Sequence, residues 1–155
     1  MSFYHVHAII PFYSDYGENG TYVLLADGTK EIFNMPIRSY IHHMLYEAHL
    51  DPKALQYWSY KIIGNKLNNP LILGEDLIFI PVKIRRPIGR ADGSFGYILL
   101  KSIAAFDDHT LVLSNHIELQ TLSSKNYILK KQRDATLLRY AYLDHRKTYA
   151  FMNKF

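Results

Sequence analysis

The spacing of apolar residues changes twice along this chain, and the changes divide it into segments that cannot all adopt one kind of secondary structure. From Phe3 to Phe12 the residues alternate, with Tyr4, Val6, Ala8 and Ile10 on one face of an extended segment and Phe3, His5, His7 and Ile9 on the other. That spacing predicts a strand. Asp15–Gly20 is a polar connection, Tyr22–Ala26 a second strand, Asp27-Gly28 a hairpin turn, and Lys30–Phe33 the return strand. Beyond Pro36 the alternation stops. Ile37, Tyr40, Ile41, Met44, Leu45 and Ala48 recur at helical spacing, which predicts an amphipathic helix over 37–50 with Arg38, His42 and Glu47 turned outward. Asp51-Pro52 then offers an N-cap and a proline at the first helical position. A second helix is expected from there to Ile63, burying Ala54, Leu55, Trp58 and Ile62 and stopping at Gly64-Asn65.

After the polar stretch Asn65–Pro70 the short apolar runs return. Leu71–Leu73 and Leu77–Pro81 flank Gly74-Glu75-Asp76, Tyr97–Ile103 and Thr110–Leu113 flank a turn at Asp107-Asp108, and Ser114-Asn115-His116 turns into Ile117–Leu122. Between them lies Val82–Ser94, whose proline, glycines and charges predict a basic loop. Ser123-Ser124 caps a last helix expected from Lys125 to about Leu143. Strands, a short-turn helix pair, antiparallel strands and a late helix around one core make an α+β fold, and 155 residues make one domain, 1–155.

Composition narrows the chemistry. With 48% hydrophobic and 14% aromatic residues the chain has ample material for a core, and its thirteen tyrosines suit half-buried strands and contact surfaces. The absence of cysteine excludes a disulfide scaffold, a thiolate metal site and a cysteine nucleophile. No stretch approaches the length of an apolar membrane span, and the first twenty residues lack the pattern of a secretory signal, so a cytoplasmic protein is expected. No phosphate-binding glycine loop, dinucleotide fingerprint, nucleophile elbow or H-E-x-x-H helix is present. His5 and His7 lie two apart on a strand but give only two ligands, and His42-His43 diverge on a helix. The expectation is therefore no catalytic residues, no metal and no cofactor.

Charge is unevenly spread. Residues 1–60 carry three Lys/Arg against six Asp/Glu, a net of −3, whereas residues 61–155 carry fifteen against eight, a net of +7. Such asymmetry is the footprint of a polyanionic partner, although a solvated surface gives the same count. The densest cluster is Lys83, Arg85, Arg86 and Arg90, four cations within eight residues, stiffened by Pro87 and loosened by Gly89. It has the character of an arm that follows a phosphate backbone, and arginine is favoured in a narrow minor groove. On these grounds Arg85→Ala with Arg86→Ala is expected to lower DNA affinity with little effect on stability. Lys130, Lys131 and Arg133 on the late helix, with Arg38 on the first, form the second set of expected DNA contacts. The helix pair has the lengths of a helix-turn-helix, with Lys53, Gln56, Tyr57, Ser59, Tyr60 and Lys61 in the place of recognition residues, but Glu47 and Asp51 flank the turn where phosphate would lie.

The order of these motifs resembles the ComK family of competence transcription factors. The likeness rests on Asn34-Met35-Pro36 leading into Arg38-Ser39, Pro70-Leu71-Ile72-Leu73 before a strand ending in Pro81, the basic loop, and Tyr97-Ile98. It continues through Phe106-Asp107-Asp108, Ser114-Asn115, Glu118-Leu119 and a helix containing Gln132 and Leu137-Leu138-Arg139. It spans roughly residues 20–143, in a divergent, short member that has Pro52-Lys53-Ala54 where the family has Gly-Arg-Lys. The resemblance implies a transcriptional activator of DNA-uptake genes that binds double-stranded, A/T-rich promoter boxes as a homodimer or higher oligomer. It also implies a proteolytic adaptor as a further partner and a location associated with the bacterial nucleoid. Minor-groove and phosphate contacts suffice for such recognition. Two alternatives stay open, an RNA-binding module and a protein–protein regulatory domain without catalysis.

Overall fold

The structure is a computed structural model that describes residues 5–152, with side chains described to Arg146. Six strands form an antiparallel sheet in the order β3-β2-β1-β6-β5-β4: β1 (Val6–Tyr13), β2 (Asn19–Leu25), β3 (Lys30–Phe33), β4 (Leu71–Gly74), β5 (Leu77–Lys83) and β6 (Phe95–Leu99). A second, three-stranded antiparallel sheet joins β7 (Ile103–Phe106), β8 (Thr110–Leu113) and β9 (Glu118–Gln120). The helices are α1 (Ile37–Glu47), α2 (Pro52–Ile63) and α3 (Lys125–Met152). The fold is α+β, as the spacing predicts. No helix among the described residues is long and apolar enough to cross a membrane.

The large sheet divides the apolar interior in two. On one face Val6, Ile9, Val23, Leu77, Phe79 and Leu99 pack beneath the Ile37, Tyr40, Ile41, Met44 and Leu45 stripe of α1. On the other, Ala8, Ile10, Ile80, Val82 and Ile98 meet Leu111, Leu113 and Leu119 of the small sheet and Ile128 and Ala135 of α3. Adjacent residues of β5 therefore serve opposite cores, which is why its sequence is continuously apolar. Each fully buried aliphatic side chain contributes roughly 1.5–3 kcal/mol.

The register departs from simple alternation at β1. Val6 pairs with Leu25 but Ala8 with Leu24, so a bulge lies between them. One extra residue moves Val6 to the face of Ile9 instead of the face of Ala8 and Ile10 that the alternation predicts. Phe3 and Tyr4 of the expected strand lie outside the described residues. The run expected as one strand from Tyr97 to Ile103 is two strands in different sheets. A 3-10 turn at Leu100–Ser102 separates them, held by the buried Ser102 hydroxyl donating to the Leu99 carbonyl at 2.8 Å. β5 continues through Pro81, whose missing N–H costs little because Phe79, two residues earlier, is already opposite the first residue of β4.

Helix ends follow local chemistry. The Asp51 carboxylate accepts from the Ala54 N–H at 2.8 Å, Pro52 opens α2, and Gly64 closes it in the left-handed region at φ 90°. α1 stops at Glu47, short of the expected Leu50, because His49 takes φ 60°. The Leu50 N–H then bonds Leu45 O at 2.9 Å and the His49 N–H bonds Tyr46 O at 3.0 Å, a Schellman closure with Leu50 packed on the α1 core. α2 packs mainly on α3, not on α1, with Leu55, Trp58 and Ile62 half-buried. Ala54, expected inside, is exposed, and Ser59, expected outward, is 2% exposed. α3 runs to Met152, past the expected Leu143, since neither glycine nor proline interrupts a helix already nucleated. Ser124 caps it through the Tyr127 N–H, while Asp107 accepts from the N–H groups of His109 and Thr110 and is the turn its sequence suggests.

Candidate nucleic-acid interface

The basic loop connects β5 to β6, so its two ends are fixed by the antiparallel ladder that pairs Lys83 with Phe95. The ladder is prolonged by Ile84 N–H and Arg85 N–H, both donating to Ser94 O. Beyond them the loop is tied to the far end of the β1–β2 hairpin. Asp92 accepts from the Tyr13 hydroxyl at 2.6 Å, from Asn19 Nδ2 at 3.1 Å and from the Gly89 N–H at 3.0 Å. These donors, the Tyr13 hydroxyl foremost, hold its carboxyl below the usual carboxylate range. Tyr13 Oη in turn accepts from the Ile88 N–H at 2.7 Å.

Arg85 completes this cluster and does not reach outward. Its Nε donates to Gly93 O at 2.7 Å, its Nη2 to Asn19 Oδ1 at 2.6 Å, and the guanidinium lies 4.2 Å from the Tyr13 ring centre. Burial pulls its pKa down, opposed by Tyr13 and Asp92, while the guanidinium stays protonated. The expectation that all four loop cations face a partner therefore does not hold for Arg85: its hydrogen-bonding edge is turned into the loop. Arg86 and Arg90 are exposed on either side of the tip, and Lys83 is half-buried at the end of β5.

The return arm of the loop borders a concavity of about 360 Å³. Gly93 and Ser94 form one wall, Arg38 of α1 and Gln56 of α2 the next, and Lys66 and Asn68 the floor between α2 and β4. The fit is close, since a Cβ on Gly93 would come within 2.9 Å of Ile37 Cγ2. Gln56 and Lys66 are shared with a shallower hollow that also holds Lys53, Tyr57 and Tyr60. Lys61 lies 5.2 Å from the Tyr57 ring and Lys66 5.6 Å from the Tyr60 ring, contacts of cation–π type on the outer face of α2. No Asp or Glu lines either hollow among the described residues. Glu47 and Asp51 border an adjoining hollow with His43 and His49, which shares His42 and Pro52 with the first concavity.

The late helix divides its cations. Lys130 and Arg133 are exposed but line neither of these hollows. Lys131, expected as a DNA contact, points inward with a side chain only 3% exposed. Its Nζ donates to Asn68 O at 2.6 Å and sits 3.7 Å from Asp134 Oδ2, and burial lowers its pKa. Helical geometry separates neighbours by about 100°, so Lys130 and Lys131 point in different directions, and Lys131 is the one that faces the body of the protein. Lys66 is the cation the sequence reading passed over, because it sits in a polar connection without periodicity. Compared with family models, curated proteins and solved structures, the chain matches none.

Proposed function

We propose that this protein is a DNA-binding transcription regulator, a binding protein and not an enzyme. One observation carries the reading: Arg38, Lys53 and Lys66 line two adjoining hollows whose linings hold no Asp or Glu, beside a braced loop that holds Arg86 and Arg90 outward. Phosphates are attracted by such clustering, and arginines on a narrow tip suit the minor groove of A/T-rich tracts. The ComK-like order of motifs extends the proposal to activation of DNA-uptake genes by an oligomer on paired A/T-rich boxes. Lys83, Lys130 and Arg133 remain contacts for flanking phosphates. Arg85 and Lys131 are assigned to the scaffold that supports the interface.

If Arg38, Lys53, Lys66, Arg86 and Arg90 each neutralise one phosphate, affinity should fall with salt with a logarithmic slope near −4.5, about 500-fold between 50 and 200 mM. Fluorescence anisotropy on an A/T-rich and a G/C-only duplex measures both slope and preference. A flat salt response, or equal affinity for the two duplexes, refutes sequence-selective DNA binding. The exposed Tyr57 and Tyr60 beside lysines favour a second reading, stacking on single-stranded bases. Single-stranded RNA that displaces the A/T-rich duplex at equal concentration supports that reading instead.

A further inference from the structure

We infer that Ile88, at the tip of the basic loop, is a wedge that enters a base-pair step from the minor groove and unstacks it. The inference rests on the DNA-binding reading above and adds a mode of engagement to it. Ile88 is 83% exposed, the most exposed large aliphatic side chain among the described residues. Exposure of one apolar residue is ordinary by itself. What sets Ile88 apart is how the backbone beneath it is held.

The Ile88 N–H is fixed to Tyr13 Oη, the Gly89 N–H to Asp92 Oδ2, and the Asp92 N–H to Gly89 O. Pro87 restricts the backbone on the preceding side. A slack loop would let the isoleucine fold back onto the nearby apolar surface. Here the braced backbone keeps it pointing away from the protein at no further ordering cost on binding. Arg86 and Arg90 stand two residues to either side, exposed, where they can follow the two phosphate walls of a groove that the tip enters. An aliphatic residue beside proline, flanked by arginines, is the chemistry by which minor-groove proteins pry apart a step and kink the duplex by about 20–90°. Flexible pyrimidine–purine steps such as TA yield most readily. A membrane is the other surface that takes up an exposed apolar tip among cations. One isoleucine offers far less apolar area than an acyl chain, itself a marginal anchor, so duplex DNA is the occupant inferred.

The test uses a duplex of about 40 base pairs carrying an A/T-rich box, with 2-aminopurine at a TA step and a dye at each end. Wild type, Ile88→Leu, Ile88→Ser and Arg86→Ala/Arg90→Ala are titrated onto it, with circular dichroism confirming that each is folded. Wild type and Ile88→Leu should raise the aminopurine fluorescence several-fold and increase end-to-end energy transfer. Ile88→Ser should bind within about tenfold of wild type with the same salt slope, and give neither signal. Arg86→Ala/Arg90→Ala should bind more weakly with a shallower salt slope. A wild-type complex that forms without either signal overturns the wedge while leaving DNA binding intact, and so does Ile88→Ser that unstacks and bends like wild type. Failure of wild type to bind the duplex overturns both proposals. Binding to phosphatidylserine vesicles that Ile88→Ser abolishes, with its DNA complex unchanged, reassigns the tip to a membrane.

Discussion

Arg85 and Arg86 are neighbours with the same charge, yet the structure turns Arg85 into the loop and Arg86 to solvent, and replacing each by alanine separates the roles proposed for them. Arg85 makes two short hydrogen bonds, to Gly93 O and to Asn19 Oδ1, and lies over the Tyr13 ring. A hydrogen bond from a charged donor is worth about 1.5–3 kcal/mol, and a cation–π contact about 0.5–1 kcal/mol. The side chain is only half-buried, so the low end applies, for a gross gain of roughly 3.5 kcal/mol. Freeing the arginine rotamers returns about 1.5 kcal/mol, so Arg85→Ala should cost about 2 kcal/mol net. With a urea slope of about 2 kcal/mol/M, the unfolding midpoint should drop by about 1 M. Trp58, the sole tryptophan and half-buried against the core, reports the transition by fluorescence.

The salt dependence of DNA binding provides the independent readout. On the proposed DNA-binding reading Arg86→Ala removes a phosphate contact, so its slope should fall by about 0.9 while the urea midpoint stays within about 0.2 M. Arg85→Ala should weaken binding by loosening the loop and leave the slope unchanged. The paired substitution is thus not stability-neutral, contrary to what charge alone suggests. Equal midpoints for Arg85→Ala and wild type, or a reduced salt slope for Arg85→Ala, would show that the guanidinium is a contact and the bracing cluster is not the source of the loop's order.

Two further substitutions test the scaffold. Lys131→Met leaves the Asp134 carboxylate, 10% exposed, without its ion-pair partner and should destabilise by about 3 kcal/mol, with Lys131→Met/Asp134→Leu recovering most of the loss; a single variant as stable as wild type in urea contradicts the inward placement. His49→Gly removes a side chain from the left-handed position that closes α1 and should raise stability by roughly 1 kcal/mol, whereas a drop in melting temperature would place the helix end elsewhere.

What the sequence could disclose was local. Asp51 ahead of Pro52 and the Ile37–Leu45 stripe are signals contained within one turn or one helix, and both elements form where they predict. The hairpin at Asp27-Gly28 is equally self-contained, with Gly28 at φ 90° and the Thr29 N–H on Asp27 Oδ1. Other features depended on partners far along the chain. Asp92 is bound to Tyr13 across 79 residues and Arg85 to Asn19 across 66, so no window of sequence shows that the loop is braced. The split of Tyr97–Ile103 between two sheets turns on one buried serine hydroxyl, which leaves the apolar pattern uninterrupted. Val6 changed faces because a bulge has no compositional mark in this strand.

The charge count by halves illustrates the same limit and shows why placement decides the function. Of the cations in the basic half, Arg85, Lys131 and Arg139 are engaged internally, the last on Glu75 at 2.9 Å. The acidic half, meanwhile, supplies Arg38 and Lys53 to the rim of the hollows beside α2. The net difference between halves is therefore a poor measure of the surface offered to phosphate; the relevant quantity is the set of cations, Lys53, Lys66 and Arg38, on the two hollows lined by no Asp or Glu beside the loop. That surface is concave and its loop is braced by hydrogen bonds, whereas a straight duplex is a rod that seats loosely on a concave surface. A bend at the loop tip seats the same phosphates more closely on the strip, and the closer contacts offset the cost of deformation. The wedge and the strip are on this argument two parts of one binding mode: the cations around α2 supply the phosphate contacts with or without the bend, and the bend tightens them.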